Sequence, residues 1–429
     1  MEYIALILFI SIFLFIMAGY PVAFTLGGLS VLAGILFVPD FLDFLPLRIM
    51  GVVQNYVLLS VPLFIYMGLV LEKSGIAEEL LRSMAVLFGT LKGGLALSVI
   101  VVGTLLAAST GIVGATVITM GLISLPVMLK KGYDKGLATG TIASAGTLGQ
   151  IIPPSVVLVL LGSVLNISVG DLFRAAIIPG MLLVGAYILY VLIFAHLRPE
   201  KAPPLPEAEI SAFKDHQFYR KVLKAFLFPI ILIVAVLGAI IGGFASPTEA
   251  AAVGAMGAML LSITQGRLNI KMLRDVVRET SHLTGMVFMI LIGATTFALV
   301  FRGLGGDHAL VHFIERSNLT AGHFLILVMI VVFIAGFFID FIEIVFIIVP
   351  VVAPIFAKLG IDPVWAGILL ALNLQTSFLT PPFGFALFYL KGVAPPEVRT
   401  ADLYRGVVPF LVIQIAVLLL VGLFPSLLS

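Results

Sequence analysis

The sequence has no cysteine among its 429 residues, and only 11% of them are charged. The first absence excludes disulfides, thiolate metal sites and cysteine nucleophiles. The second excludes a soluble domain: the chain is 61% hydrophobic with a mean hydropathy of +1.23, where a soluble domain is roughly 45–50% apolar. Neither a phosphate-binding P-loop signature nor an HExxH pair occurs, which removes the most direct ATPase and metalloprotease readings. A net charge of +2 is too small to point to nucleic acid. The six histidines show no metal-ligand spacing and read as interfacial.

What is present is one apolar run after another, most of about 20 residues, the length that crosses a bilayer. Spans are expected near 3–18, 22–39, 53–71, 137–165, 172–196, 226–244, 248–264, 283–301, 364–390 and 405–426. The first lacks a basic flank and a convincing cleavage site, and reads as a retained span rather than a signal peptide. The longest polar segment, 198–221, reads as a Pro-rich linker followed by an amphipathic arm. Basic residues cluster at Lys130, Lys131 and Lys135, from Arg198 to Lys224 and from Arg267 to Arg278. Two spans separate each cluster from the next, so all three can face the cytoplasm.

Two further runs do not fit single spans. Residues 93–129 carry no charge, yet as one helix they would extend ~55 Å against a hydrocarbon core of ~30 Å. Two full spans would need an exposed turn, and the only candidate is the small, uncharged Ser109-Thr110-Gly111. A re-entrant hairpin explains the run better, because non-helical backbone at membrane depth is tolerated where it lines a buried cavity. The same reasoning applies to residues 322–357, with Gly336 to Asp340 at the middle.

The two hairpins belong to an internal repeat. A shift of 228 positions lays Pro126 on Pro354, Gly132 on Gly360, Asp134 on Asp362, Pro153 on Pro381 and Pro154 on Pro382 without a gap. GTLGQIIPPS (146–155) thus falls on LQTSFLTPPF (374–383), and GLVLEKSG (68–75) resembles ALVFRGLG (298–305) at a shift of 230. An odd number of crossings separates equivalent points, so the halves are expected to be inverted. Inverted repeats with interrupted helices at matching places point to the central site of a secondary transporter.

The paired prolines have a specific chemical consequence. Each withholds a backbone N–H from the carbonyl four residues back. The carbonyls of Gly149 and Gln150, and of Ser377 and Phe378 in the second half, are therefore expected to be left as oxygen acceptors in the membrane. Thr147 and Thr380 add hydroxyls beside them. A dehydrated Na⁺ needs such oxygens, and unwound carbonyls hold cations in transporters; the bland alternative is a proline kink satisfied by neighbouring helices. Asp340 and Glu343, three apart in the second hairpin, are intramembrane carboxylates and hence candidates for ion coupling or for a local helix cap. Ser246-Pro247-Thr248-Glu249 reads as a capping box. Arg174 and Arg302 lie at span ends and read as snorkelling, and the aromatic-rich FGFALFYL (383–390) as packing. No basic residue lies at mid-membrane to meet an anion, so half-helix dipoles and bound Na⁺ are expected to supply the positive potential.

GATVITMGLISLPVMLKKGYDKGLATGTIASAGTLGQIIPPS (114–155), SPTEAAAVGA (246–255), FFIDFIEI (337–344) and LTPPFGFALFYLKGVAPPEV (379–398) together resemble the large membrane (M) subunit of tripartite ATP-independent periplasmic (TRAP) transporters, over essentially the whole chain. The resemblance implies an all-α polytopic membrane protein of the elevator-type ion-transporter fold, with inverted repeats, two re-entrant helical hairpins and broken helices. It implies a Na⁺-coupled importer subunit of the bacterial inner membrane, working with a small four-helix Q subunit and a periplasmic substrate-binding protein. It places scaffold helices at 1–52, 181–282 and 401–429, and a transport domain at 53–180 and 283–400. Carried over by motif, one Na⁺ site would use Ser109 with Gly149, Ile152 and Pro154, and a second Gly336 with Ser377, Thr380 and Pro382. Thr110, Gly111, Thr147, Gln150 and Asp340 are further substrate or coupling candidates. The hairpin tip and ATGTIASAGTLGQIIPPS lean toward the branch associated with 2-oxo acids, lactate and other organic acids, and hence toward a carboxylate substrate. Two other readings compete with it: a stand-alone Na⁺- or H⁺-coupled anion transporter of related fold, and an intramembrane enzyme or proton-translocating subunit. The last would need catalytic groupings or mid-span relays, and only Asp340 and Glu343 come near that.

Overall fold

The computed structural model describes residues 2–206, 210–211, 218–316 and 319–428, and every regular element among them is a helix. The first half runs α1 (Glu2–Met17), α2 (Val22–Phe37), α3 (Leu45–Val53), α4 (Ser60–Lys73), α5 (Ile76–Leu87), α6 (Gly94–Thr110), α7 (Val113–Lys130), α8 (Lys135–Thr147), α9 (Val156–Leu165) and α10 (Val169–Leu197). The second runs α11 (Phe218–Ile241), α12 (Pro247–Thr264), α13 (Ile270–Gly303), α14 (Gly306–Arg316), α15 (Ala321–Ala335), α16 (Phe341–Ile347), α17 (Val349–Lys358), α18 (Pro363–Leu379), α19 (Phe385–Val393) and α20 (Thr400–Leu423).

Both expected hairpins form. The 17 residues of α6 rise about 25 Å, short of the ~30 Å core, and stop at Gly111. That residue adopts φ 63°, a left-handed conformation suited to glycine, and its N–H closes the helix on the Ala107 carbonyl at 2.9 Å. α7 returns two residues later. The second hairpin differs in its return limb, which is two helices, α16 and α17, bent by 50°. Pro350 at the start of α17 lacks the N–H that a continuous helix would use there. The broken helices also form where the proline pairs fall, as α8 with α9 and α18 with α19.

Three features exceed what the apolar pattern showed. The span expected at 283–301 is the far part of the 34-residue α13, whose first turns carry Lys271, Arg274, Asp275 and Arg278. The short helices α5 and α14, each with charged residues on an amphipathic frame, occupy equivalent places before the two hairpins. The linker after α10 lies across the basic end of the first hairpin: Ala202 and Lys201 carbonyls accept from the N–H groups of Gly93 and Asp134 at 2.9 Å each, and the Leu205 N–H donates to Gly89 at 2.8 Å. Most of the expected amphipathic arm, 207–209 and 212–217, lies outside the described residues.

The halves pack crosswise. α2 lies along α13 of the second half, and its counterpart α12 lies along α4 of the first. A second group gathers around the breaks: α6 and α7 pack on α8, α19 packs on α7, and α20 runs along α8, α10 and α18. α4 and α13 face this second group, α4 against α6 and α13 against α16.

Candidate functional site

At the first break α8 ends at Thr147 and gives way to a single 3-10 turn, Leu148–Gln150. The N–H groups of Ile151 and Ile152 both donate to Leu148, at 3.1 and 2.9 Å. The next two residues are prolines and donate nothing. Ser155 then starts α9, its Oγ accepting from the Leu158 N–H at 3.4 Å. Among the described residues no hydrogen bond reaches the carbonyl oxygens of Gly149, Ile152 or Pro154. These are the three backbone oxygens that the family resemblance assigned to the first Na⁺ site. The expectation for Gln150 is corrected: its carbonyl accepts from Ser155 Oγ at 2.8 Å, because the sharp turn brings a side-chain hydroxyl to the place of the missing N–H.

The first hairpin closes directly on this break. A Cβ at Gly149 would lie 2.3 Å from the Ala107 carbonyl oxygen, and one at Gly111 3.0 Å from the Val156 nitrogen. The hairpin tip therefore touches both the end of α8 and the N-terminus of α9, and only glycine permits either approach. The side chains of Ser109 and Thr110 lie outside the described residues.

The second break has the same plan with different bonding. Thr380 caps α18, its N–H donating to Ser377 at 3.1 Å and its own carbonyl accepting from Gly384 at 3.0 Å. Tyr404 Oη donates to the Pro382 carbonyl at 3.0 Å. The expectation that Ser377 has a freed carbonyl is thus corrected: the helix tightens, and an N–H three residues on replaces the one lost. The Phe378 carbonyl fits its expectation, with no hydrogen bond reaching it among the described residues. Gly336 meets this break as closely as Gly149 meets the other, since a Cβ there would lie 2.1 Å from Ser377 Oγ. The hydroxyls of Ser377 and Thr380 both turn inward, donating to Leu374 and Thr376 at 2.8 Å.

Asp340 starts α16 as half of a capping box: its Oδ1 accepts from the Phe341 N–H at 2.8 Å, and its own N–H donates to Glu343 Oε2 at 3.1 Å. Rings crowd around it. Phe338 stacks against Phe383, Phe341 against Phe378, and Phe385 against Tyr389. Tyr389 in turn packs over Gly114, where a Cβ would lie 3.0 Å from its ring. FGFALFYL is therefore packing, as read, and its tyrosine seats α19 on the first hairpin.

Thr147 Oγ1 donates to Ser144 at 2.9 Å and receives Gln414 Nε2 at 3.5 Å. Gln150 and Gln375 are fully buried with both amide atoms unpartnered, and Gln414 is buried with a free Oε1. Sequence reasoning reached Gln150 through its place beside the prolines and passed over the other two, although a lone glutamine in an apolar helix was the available signal. The Ser246–Glu249 capping box is present. The two arginines read as snorkelling make specific bonds instead: Arg174 Nη2 donates to the Ile241 carbonyl at 3.0 Å, and Arg302 pairs with Asp307 at 2.9 Å. No group of three or more acidic or histidine side chains capable of holding a metal occurs among the described residues.

The profile of the tripartite ATP-independent periplasmic transporter DctM component matches residues 9–427. The chain belongs to that family. It is 32% identical to the C4-dicarboxylate TRAP transporter large permease protein DctM of Pseudomonas aeruginosa, over 94% of this chain and 92% of that one. It is 31% identical to the isethionate TRAP transporter permease protein DctMQ of Oleidesulfovibrio alaskensis, over 96% of this chain and 64% of that longer one. Its fold is similar to that of the Alcanivorax borkumensis YdaH transporter, with a TM-score of 0.65 at 16% identity, covering 94% and 96% of the two chains. The protein is thus a multi-pass membrane permease component, and the all-helical fold with hairpins and breaks expected from the sequence is borne out.

Proposed function

We propose that the chain is the Na⁺-coupled subunit of an importer for small organic anions in the bacterial inner membrane, operating by an elevator movement. The observation that carries this reading is the set of three carbonyl oxygens, Gly149, Ile152 and Pro154, that no donor among the described residues reaches although they lie in a buried helix break. Buried carbonyls without a partner are costly in an apolar medium, and a dehydrated cation offsets that cost. Na⁺ is here a cotransported substrate rather than a resident cofactor. With the cation in place, the N-terminus of α9 at the hairpin tip presents positive potential to a carboxylate. Each ligand then raises the affinity for the other by the same factor.

The mobile body we assign comprises the two hairpins, the two broken helices, α10 and α20. The packing of α20 along α8 and α10 supports extending it past residues 180 and 400, while α4 and the end of α13, which fall within 53–180 and 283–400, go to the scaffold. The scaffold is the crosswise pairing of α2 with α13 and α12 with α4. The C4-dicarboxylate and isethionate relatives support a small carboxylate or sulfonate as the substrate. The fused name of the isethionate relative supports a small Q-type membrane partner, and the family supports a periplasmic binding protein.

Uptake into proteoliposomes tests this reading, measured with and without a Na⁺ gradient, the small subunit and the binding protein. Accumulation of the anion only when all three are supplied is expected. Uptake by this chain alone, indifferent to Na⁺, would overturn it in favour of a stand-alone transporter.

A further inference from the structure

A crevice of ≈ 840 Å³ opens between α3 and α13 on one side and α9, α16 and α17 on the other. It lies on the seam between the two packing groups, away from the hydrogen-bonded helix breaks. Its polar lining is Arg48, Asn55, Ser163, Asn166, Thr295 and Arg302, and no acidic side chain lines it. Arg302 is partly balanced by Asp307 of α14; Arg48 bonds no carboxylate among the described residues. A hydrogen bond from Asn55 Nδ2 to Ser163 Oγ, 3.1 Å long, crosses the seam at this crevice.

At the opposite end of the seam an acidic residue stands in the equivalent place. The repeat register that lays GLVLEKSG on ALVFRGLG puts Glu72 in the place of Arg302. Glu72 accepts from Thr119 Oγ1 across the seam, and its other carboxylate oxygen is buried without a partner. The hydroxyls of Thr280 and Thr284 on α13 are likewise buried and unpartnered. α13 runs from the basic cluster at Arg267 to Arg278 outward to Arg302, so the arginine end is periplasmic and the Glu72 end lies toward the cytoplasm.

We infer that the Arg48–Arg302 crevice is a charge-selecting periplasmic vestibule that draws a small organic anion, carboxylate or sulfonate, to the seam before it reaches the hairpin tips. Two guanidinium groups in a cleft with low-dielectric walls focus positive potential and raise the local concentration of anions. Glu72, on the exit side, gives the anion no such hold. This rests on the organic-anion reading of the function.

The native absence of cysteine supplies the test. A single thiol is placed in the crevice as Thr295→Cys, or as Ala298→Cys should the first fail to accumulate, in the full chain produced with its small subunit. Right-side-out membrane vesicles are then treated with the anionic sulfonatoethyl and the cationic trimethylammonioethyl methanethiosulfonates, each rate normalised to that of a free thiol. The anionic reagent is expected to react faster, and the ratio of rates to fall roughly tenfold when Arg48→Gln and Arg302→Gln are added. Equal rates, preference for the cation, a ratio that ignores the two arginines, or no reaction at either position would overturn the vestibule. Labelling needs neither Na⁺ nor a binding protein, so its failure is distinguishable from failure of the transport assay.

Discussion

The two helix breaks descend from one repeat, yet they handle their backbone oxygens in opposite ways. In the first, Gly149, Ile152 and Pro154 keep carbonyls that nothing among the described residues bonds, and the hairpin above is built mainly of small and aliphatic residues. In the second, Ser377, Thr380 and Pro382 all accept hydrogen bonds, and the hairpin above carries two carboxylates and a shell of phenylalanines. The close approach of hairpin to break is kept in both halves, while the glycine that permits it has changed sides: Gly149 is on the broken helix, Gly336 on the hairpin. Matching proline pairs therefore open a helix without deciding what the opening holds. The surrounding donors decide that, and they leave the oxygens of the first break the more open.

The largest expected effect comes from closing the approach. Gly149→Ala would drive a methyl into the backbone of Ala107, a contact that no side-chain change can relieve. A cost of about 1–3 kcal/mol for overpacking should lower uptake by roughly tenfold or more. Gly336→Ala meets a side-chain oxygen instead, so the double variant Gly336→Ala with Ser377→Gly should recover most of the uptake lost by the single one. Recovery for neither glycine, or for both, would erase the distinction between the halves.

The proline pairs come next. Replacing Pro153 and Pro154 with alanine restores two donors, the first of them aimed at the free Gly149 carbonyl, and should raise the Na⁺ concentration for half-maximal uptake by about tenfold, the scale of one strong acceptor lost. The same change at Pro381 and Pro382 should shift it only about two- to threefold, because the Ser377 carbonyl already has its N–H and the Phe378 carbonyl, the free one there, is not among the oxygens assigned to the second site. Equal shifts in a Na⁺ titration would show that the unbonded carbonyls do not set ion affinity.

Smaller effects separate capping from coupling at the second hairpin. Asp340→Ala removes an N-cap and should destabilise the purified protein by about 1 kcal/mol, read as a lower melting temperature in detergent, whereas Asp340→Asn preserves the cap and should be nearly neutral in stability. If the asparagine variant melts normally but loses uptake, the carboxylate acts in coupling as well as in capping. Tyr404→Phe, which removes only the bond to Pro382, should cost about 0.5–1.5 kcal/mol and leave the Na⁺ dependence of uptake unchanged.

Much of the architecture was legible because bilayer thickness fixes how long an apolar run can be. Residues 93–129 and 322–357 announced hairpins by excess length, and the prolines announced the breaks. Elements whose signal is amphipathic periodicity rather than length, such as α5 and α14, are too short to stand out by length among apolar neighbours. At the site, proline chemistry located Gly149 and Phe378 because loss of an N–H is a local fact. It misjudged Gln150 and Ser377, whose replacement donors, the Ser155 hydroxyl and the Thr380 N–H, arrive only once the chain has turned. The crevice at Arg48 and Arg302 was beyond sequence reading, since it is assembled from helices more than a hundred residues apart.

The crosswise pairing of α2 with α13 and of α4 with α12 also bears on how the protein is made. Synthesis proceeds from the N-terminus, so α2 and α4 enter the membrane long before their partner helices exist. They must be kept from aggregation or proteolysis by lipid, by insertion machinery or by another subunit until translation passes residue 303. A chain stopped at the linker would thus be half a gene duplication but no half of a protein, and its quick degradation in vivo is the trace that this packing should leave.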